Sequence, residues 1–140
     1  MIQKEHNRVY SASEILEIFL NLFNHQKKLA LRSNEDIYYD YAIDYITSNI
    51  FRPIYVHDLT EILGISQPYL YKIFTKRCGM SPQSKINNVK MQKAVDMLKQ
   101  TTMSITNIAY SLGFTSPQDF SKFFKKNIGK SPTYYREYDI

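Results

Sequence analysis

A helical pattern in the middle of the chain recurs about 50 residues later, and this repeat limits the fold more than any other feature. The matched positions carry the same kinds of residue: apolar, basic, glycine, serine or proline. At an offset of 49, Val56, Leu59, Leu63 and Gly64 recur as Ile105, Ile108, Leu112 and Gly113. At an offset of 50, Leu70, Lys72, Ile73, Phe74, Lys76, Gly79, Ser81 and Pro82 recur as Phe120, Lys122, Phe123, Phe124, Lys126, Gly129, Ser131 and Pro132. One extra residue therefore lies in the turn of the second copy.

Each copy predicts two helices joined by a tight turn. The first helix ends at Gly64 or Gly113, because glycine takes the left-handed conformation without strain. Ser66 or Ser116 is then available as the N-cap of the second helix. The second helices are predicted over residues 67–78 and 117–128, and the complete helix-turn-helix units over 56–79 and 105–129. A single such pattern is more often a structural helix pair, but two matched copies favour a pair of DNA-reading units.

The second helix of each copy is predicted to have one buried and one exposed face. The buried positions are apolar: Leu70, Ile73 and Phe74 in the first copy, and Phe120, Phe123 and Phe124 in the second. The exposed positions carry polar, aromatic and cationic side chains: Gln67, Tyr69, Tyr71, Lys72, Gln118, Asp119, Ser121 and Lys122. Such side chains supply the donors and acceptors that base edges and phosphates require.

A third helix is predicted between the copies, over residues 82–100. Ile86, Val89, Ala94, Val95 and Leu98 form an apolar stripe at helical spacing. A helix of about 18 residues is roughly 27 Å long. It could hold the two recognition helices about one DNA turn apart, roughly 34 Å. A role as a plain core helix is compatible with this function as a strut.

The N-terminal segment reads as a helix over residues 11–32, with Ser11 and Glu14 forming a capping box. Its apolar residues run almost all round the helix, so both sides are expected to meet protein. We interpret it as a dimer seam or as the tail of a missing effector domain, in preference to an intrachain core helix. The candidate seam residues are Ile15, Ile18, Phe19, Leu22 and Phe23.

Charge and composition exclude several classes of protein. Residues 1–34 carry a net charge of +2, residues 35–51 of −4 and residues 52–140 of +7. The basic part could attract a polyanion such as nucleic acid, although charge alone does not distinguish this from a solvated basic surface. No apolar run is long enough to span a bilayer, so we expect no membrane partner. The sequence contains no catalytic constellation and no metal-ligand spacing, so we expect no enzyme, metal or cofactor.

The second copy resembles the AraC/XylS family of bacterial transcription regulators. The matching positions are Ile105, Ile108, Ala109, Gly113, Phe114, Phe120, Lys122, Phe123, Phe124, Lys125, Gly129, Ser131, Pro132, Tyr135 and Arg136. The resemblance implies an all-α DNA-binding domain of seven helices, here preceded by the extra N-terminal helix. It also implies cytoplasmic control of promoters, more often activation than repression, with RNA polymerase as a partner. To the recognition residues it adds Pro68, Ser116 and Pro117.

Two departures from the family pattern concern the first copy. Thr60 stands where the family usually has alanine, and Tyr55 stands where the second copy has the capping Ser104. The first unit is therefore expected to be looser or differently packed. The family often has arginine at the positions of Lys72 and Lys122. Lysine cannot make the paired hydrogen bonds by which the planar guanidinium of arginine contacts guanine. We therefore expect phosphate contacts there.

The sequence thus predicts an N-terminal segment, residues 1–34, and a DNA-binding domain, residues 35–140. Phosphate contacts are expected from Lys72, Lys122, Lys125 and Lys126. The predicted function is sequence-specific binding of promoter DNA and control of transcription. The alternative is a protein-interaction module that forms a homodimer through residues 11–32. Duplex RNA is a poorer fit, because its major groove is too narrow to be read by a helix.

Overall fold

The structure is a computed structural model that describes residues 10–139, apart from the side chains of residues 28–30. Residues 1–9 and residue 140, which belong to the two predicted segments, lie outside it. The regular secondary structure of the described part consists of α-helices, without strands, which confirms the predicted all-α class. The helices are α1 (Ala12–Ala30), α2 (Asn34–Ser48), α3 (Val56–Leu63), α4 (Gln67–Cys78), α5 (Pro82–Gln100), α6 (Ile105–Ser111), α7 (Pro117–Ile128) and α8 (Pro132–Tyr138).

The chain divides into two compact units, with the boundary between Asn34 and Glu35. The N-terminal unit contains α1. The helix is shorter than the predicted 11–32, because Ser11 caps it from outside and the helix ends at Ala30. The predicted capping box is present: Glu14 N donates to Ser11 Oγ (3.2 Å), and Ser11 N donates to Glu14 Oε2 (2.8 Å).

The C-terminal unit contains α2 to α8, organised around two apolar cores. The first core joins α2, α3, α4 and the start of α5, with Ile46, Leu59, Leu70, Phe74 and Ile86 among its fully buried side chains. The second core joins the end of α5 to α6, α7 and α8, with Leu98, Ile108, Leu112, Phe120 and Phe124 equally buried. Because α5 supplies side chains to both cores, it connects the two helix-turn-helix units.

Serine caps start most helices of the C-terminal unit. The predicted caps are confirmed: Ser66 Oγ accepts from Tyr69 N (3.3 Å), and Ser116 Oγ accepts from Asp119 N (3.1 Å). Proline occupies the first turn of α4, α5, α7 and α8, where its missing N–H costs no helical hydrogen bond. The helix boundaries therefore follow from local sequence signals.

The first helix-turn-helix differs from the second at its entry, as the sequence indicated. Tyr55 precedes α3, and Asp58 Oδ2 accepts from the Tyr55 backbone N–H at 2.8 Å. Thr60 is half-buried and its hydroxyl donates to the carbonyl of His57, whereas the equivalent Ala109 is fully buried. No helix within residues 10–139 is long and apolar enough to cross a membrane.

Candidate nucleic-acid interface

The two predicted recognition helices, α4 and α7, are each 12 residues long and occupy the same place in their units. Each packs one side into its core: Leu70, Ile73 and Phe74 are fully buried on α4, as are Phe120 and Phe124 on α7. Phe123, predicted to point inward, is half-buried and its ring lies 5.2 Å from that of Phe114. The opposite side of each helix is left to solvent.

The exposed start of α4 carries most of the first predicted site. Gln67, Pro68 and Lys72 are exposed, and Tyr71 is half-buried. Gln67, Pro68 and Tyr71 line an open depression of about 330 Å³. This places an amide, a phenol and an apolar pyrrolidine ring side by side on the first turns of the helix.

Tyr69 is less available than the sequence suggested. It is half-buried, and its ring meets that of Tyr38 from α2 edge-to-face, with centroids 6.2 Å apart. Lys72 Nζ lies 5.9 Å from the centre of the same ring. The aromatic contact joins α2 to the recognition helix, so Tyr69 has a packing role whatever else it contacts.

On α7 the predicted site residues extend along the whole helix. Gln118 and Lys122 are exposed near its start, and Lys125 and Lys126 are exposed in its last turn. Pro117 and Ser121 are half-buried. The helix thus presents polar groups at one end and cations further along, which suits base contacts and phosphate contacts respectively.

Ser116 and Asp119 are committed to the cap of α7. Asp119 Oδ2 accepts from the hydroxyls of Thr115 and Ser116, both at 2.8 Å. These hydrogen bonds lower the pKa of Asp119, and the charge of Lys122 adds to the effect. The carboxylate therefore anchors the turn before the recognition helix, and only its second oxygen is left to meet a ligand.

The cations of the two recognition helices have different surroundings. On α4, Lys76 Nζ lies 2.6 Å and Lys72 Nζ 3.7 Å from the carboxylate of Glu35, at the start of α2. Arg77 Nη1 lies 2.7 Å from Asp36 Oδ1. On α7, no acid within residues 10–139 lies at ion-pair distance from Lys122, Lys125 or Lys126. The lysines of the second helix are therefore not held in ion pairs, although Asp119 lies close enough to feel the charge of Lys122.

The pKa shifts follow this arrangement. The hydrogen bond from Lys76 lowers the pKa of Glu35, and the charges of Lys76 and Lys72 act in the same direction. The same contact raises the pKa of Lys76. Sequence reasoning missed this pairing. The four acids between residues 35 and 51 were visible as a charge cluster, but nothing local indicates partners about 40 residues away.

Arg136 is a second residue whose role was not assigned from sequence. Its guanidinium donates to three backbone carbonyls around the end of α5: Leu98 (3.3 Å), Thr101 (3.4 Å) and Met103. These carbonyls lie at or beyond the helix C-terminus, where intrahelical partners run out. Arg136 therefore fastens α8 to the connection between the strut and the second helix-turn-helix.

Comparison with known proteins agrees with this architecture. A family model described as a helix-turn-helix domain matches residues 59–138, more than half of the chain. The lactose operon transcription activator of Staphylococcus xylosus is 34% identical over 105 residues, covering 75% of this chain and 37% of its own length. The C-terminal domain of AraT, a response regulator from Geobacillus stearothermophilus, superposes with a TM-score of 0.69 at 28% identity, covering 74% of this chain and 87% of that domain.

The DNA-binding domain of AdpA, solved in complex with a target DNA, has the same fold. Its TM-score is 0.65 at 21% identity, with 69% of this chain and 87% of that domain covered. The chain belongs to the AraC/XylS family of helix-turn-helix transcription regulators, which are sequence-specific DNA-binding proteins and not enzymes. It spans 37%, 48% and 30% of the length of three curated relatives that it matches.

Proposed function

We propose that this chain reads two successive major-groove segments of duplex DNA, with α4 in one and α7 in the next. The observation that carries the proposal is that one compact unit contains two recognition helices, and that each exposes polar side chains in its first turns. Gln67 and Tyr71 read base edges in the first segment, and Gln118 and Ser121 in the second. Lys122, Lys125 and Lys126 contact phosphates.

The strut α5 sets the reach of the pair. Its 19 residues give a length of about 28 Å, close to the roughly 34 Å of one DNA turn. Both recognition helices then face the same side of the duplex. Their blocks of bases lie about one helical turn apart.

The regulatory output of the proposal is activation at bacterial promoters in the cytoplasm, through contact with RNA polymerase. The name of the Staphylococcus xylosus relative supports activation over repression. A chain bound on one face of the duplex leaves its other surfaces accessible to the polymerase. The operator sequence determines which promoters are controlled, and selection of bound duplexes from a random DNA pool identifies it.

DNA binding is tested with the whole chain by fluorescence anisotropy on labelled duplexes over a salt series. Removal of the Lys122 charge should weaken binding to all sequences similarly and reduce the slope of log K against log salt by about 1. The matched control is Lys99→Ala, which removes a lysine of α5 instead. Equal slopes for the parent and Lys122→Ala would remove Lys122 from the phosphate contacts. Equal affinity for duplex RNA would contradict major-groove reading.

A second function, homodimer formation through α1, is supported by its exposed apolar face. Ile15, Ile18, Phe19, Leu22 and Phe23 lie on one side of the helix, and between 47% and 64% of each side chain is exposed. An isolated helix of this length is marginal in water, so a second copy that covers the face would stabilise it. A dimer would also place two DNA-binding units on one operator and raise the avidity.

Sedimentation equilibrium of the whole chain tests the dimer. Phe19→Glu should shift the dimer towards monomer, whereas Asn24→Glu, on the opposite side of α1, should leave the mass unchanged. A parent chain that is monomeric at all concentrations would contradict the dimer. In that case α1 would fit the other interpretation, the tail of an effector domain in a longer regulator.

A further inference from the structure

One turn of the second helix-turn-helix lies directly against the backbone of the segment that precedes the first. Gly113, in the turn after α6, has a φ of +79°. A Cβ atom at this position would lie 2.8 Å from the carbonyl carbon of Arg52 and 2.9 Å from the nitrogen of Pro53. Real side chains do not approach backbone atoms so closely. The absence of a side chain at Gly113 therefore permits the contact with the segment between α2 and α3.

This requirement is specific to Gly113. Gly64, its counterpart in the first helix-turn-helix, has a φ of +63°, yet a Cβ there would meet no atom within 4 Å. The same open space surrounds Gly79 and Gly129. The left-handed turn explains a glycine at all four positions, but only at Gly113 does a close neighbour add a second reason.

The segment that Gly113 contacts is held firmly. Arg52 N donates to the carbonyl of Asn49 (3.1 Å), and Arg52 Nη2 donates to the hydroxyl of Tyr45 (3.1 Å). Ile50 and Ile54 on either side are buried. A displacement of Arg52 or Pro53 would therefore disturb α2 and the entry to α3.

Two lysines of α5 extend the contact on either side. Lys90 Nζ lies 5.2 Å from the ring centre of Phe114, which follows Gly113. Lys93 Nζ lies 5.5 Å from the ring centre of Phe51, which precedes Arg52. Lys90 is half-buried, and this burial lowers its pKa. α5 thus contacts both segments that meet at Gly113, namely the connection between α2 and α3 and the turn after α6.

We infer that the contact between the two helix-turn-helix units at Gly113 sets the spacing between the two base blocks that the protein accepts. This inter-unit junction is formed by Phe51, Arg52, Pro53, Gly113 and Phe114. α5 holds the two helix-turn-helix units through its packing in the two cores. The junction adds a second contact point, which restricts twisting of one helix-turn-helix against the other and fixes α7 relative to α4. Gly113 is then a positioning residue for DNA recognition, and the inference rests on the proposed two-segment reading.

The test compares Gly113→Ala with Gly64→Ala in the whole chain. Both changes place a side chain at a positive φ, but only the first also obstructs the junction. Each protein is offered duplexes in which the selected blocks are separated by the preferred spacing or by one base pair more or less. We expect the parent and Gly64→Ala to bind the preferred spacing more tightly than the altered spacings by the same factor. In Gly113→Ala this factor should fall about tenfold, while each block is still recognised.

A second variant covers the case in which Gly113→Ala does not fold. Phe51 is 55% exposed, so Phe51→Ala removes its contact with Lys93 without opening a core. Tyr41→Ala, an exposed aromatic of α2, is the matched control. Phe51→Ala should relax the spacing in the same direction, and Tyr41→Ala should not.

The outcomes separate this inference from the proposed function. If the parent selects two blocks, and neither Gly113→Ala nor Phe51→Ala changes the spacing profile, the junction has no role in spacing. If the parent selects no pair of blocks, the two-segment reading itself is contradicted. Relaxed spacing with unchanged recognition of each block supports the inference, because a general loss of stability would weaken both together.

Discussion

Lys76 Nζ lies 2.6 Å from Glu35 Oε2, so an acid at the start of α2 holds a cation of the first recognition helix. The same carboxylate lies 3.7 Å from Lys72 Nζ. A phosphate approaching α4 would have to compete with Glu35 for both lysines. On α7, no acid within residues 10–139 lies at ion-pair distance from the lysines. The two halves of the proposed interface therefore differ in electrostatics although they share a backbone plan.

Neutralising Glu35 should strengthen DNA binding. In Glu35→Gln the two lysines are released and one negative charge near the DNA disappears. A unit charge at about 4 Å in water is worth about 1 kcal/mol, so we expect affinity to rise roughly fivefold at low salt. Anisotropy titrations measure this. Asp44→Asn makes the same charge change on α2 at a carboxylate without an ion pair among the described residues, and should have a smaller effect. Weaker binding by Glu35→Gln would show that Glu35 positions the lysines instead of competing for them.

The two exposed glutamines should each specify bases in a different block. Gln118→Ala is expected to relax preference at one base pair of the second block, at a cost of about 1–3 kcal/mol for the cognate base. Gln67→Ala serves as the counterpart and should relax the base preference at a position about ten base pairs away, in the first block. Competition binding with single-substituted duplexes measures both. Base preferences identical to those of the parent would end the direct-reading role of Gln118.

Arg136 should stabilise the protein through its hydrogen bonds to the end of α5. Arg136→Lys keeps the charge but loses the planar fork that reaches three carbonyls. We expect the free energy of unfolding to fall by about 2–3 kcal/mol. Urea denaturation measures it. Lys130→Ala breaks the exposed pair with Asp139 and should cost less than about 1 kcal/mol. Equal losses for the two variants would contradict the bracing role of Arg136.

Asp119 should make stability depend on pH in the acid range. Its pKa is lowered by the hydroxyls of Thr115 and Ser116, so the folded state takes up the proton less readily than the unfolded state. The stabilisation is present above the ordinary aspartate pKa and is lost as pH falls through the lower folded value. Asp119→Asn should therefore lower the free energy of unfolding at pH 7, and by less at about pH 3. A pH-independent difference in urea denaturation would refute this.

Local signals made most of the fold readable from sequence. Serine caps, first-turn prolines and turn glycines fix helix ends within a few residues, so the bounds of α4, α5 and α7 agree with those predicted. The repeat indicated which helix faces would be buried. In contrast, the pairing of Glu35 with Lys76 and the approach of Gly113 to Arg52 depend on packing between distant elements. No periodicity or spacing encodes these contacts, so only the structure could reveal them.

The most direct test of the account is selection of bound sequences from a random duplex DNA pool, with the whole chain at near-physiological salt. We predict a motif with two blocks about one helical turn apart, one for α4 and one for α7. A single enriched block would show that only one helix reads bases. Salt-sensitive binding without any enriched sequence would contradict the central claim, because affinity would then come from phosphate contacts alone.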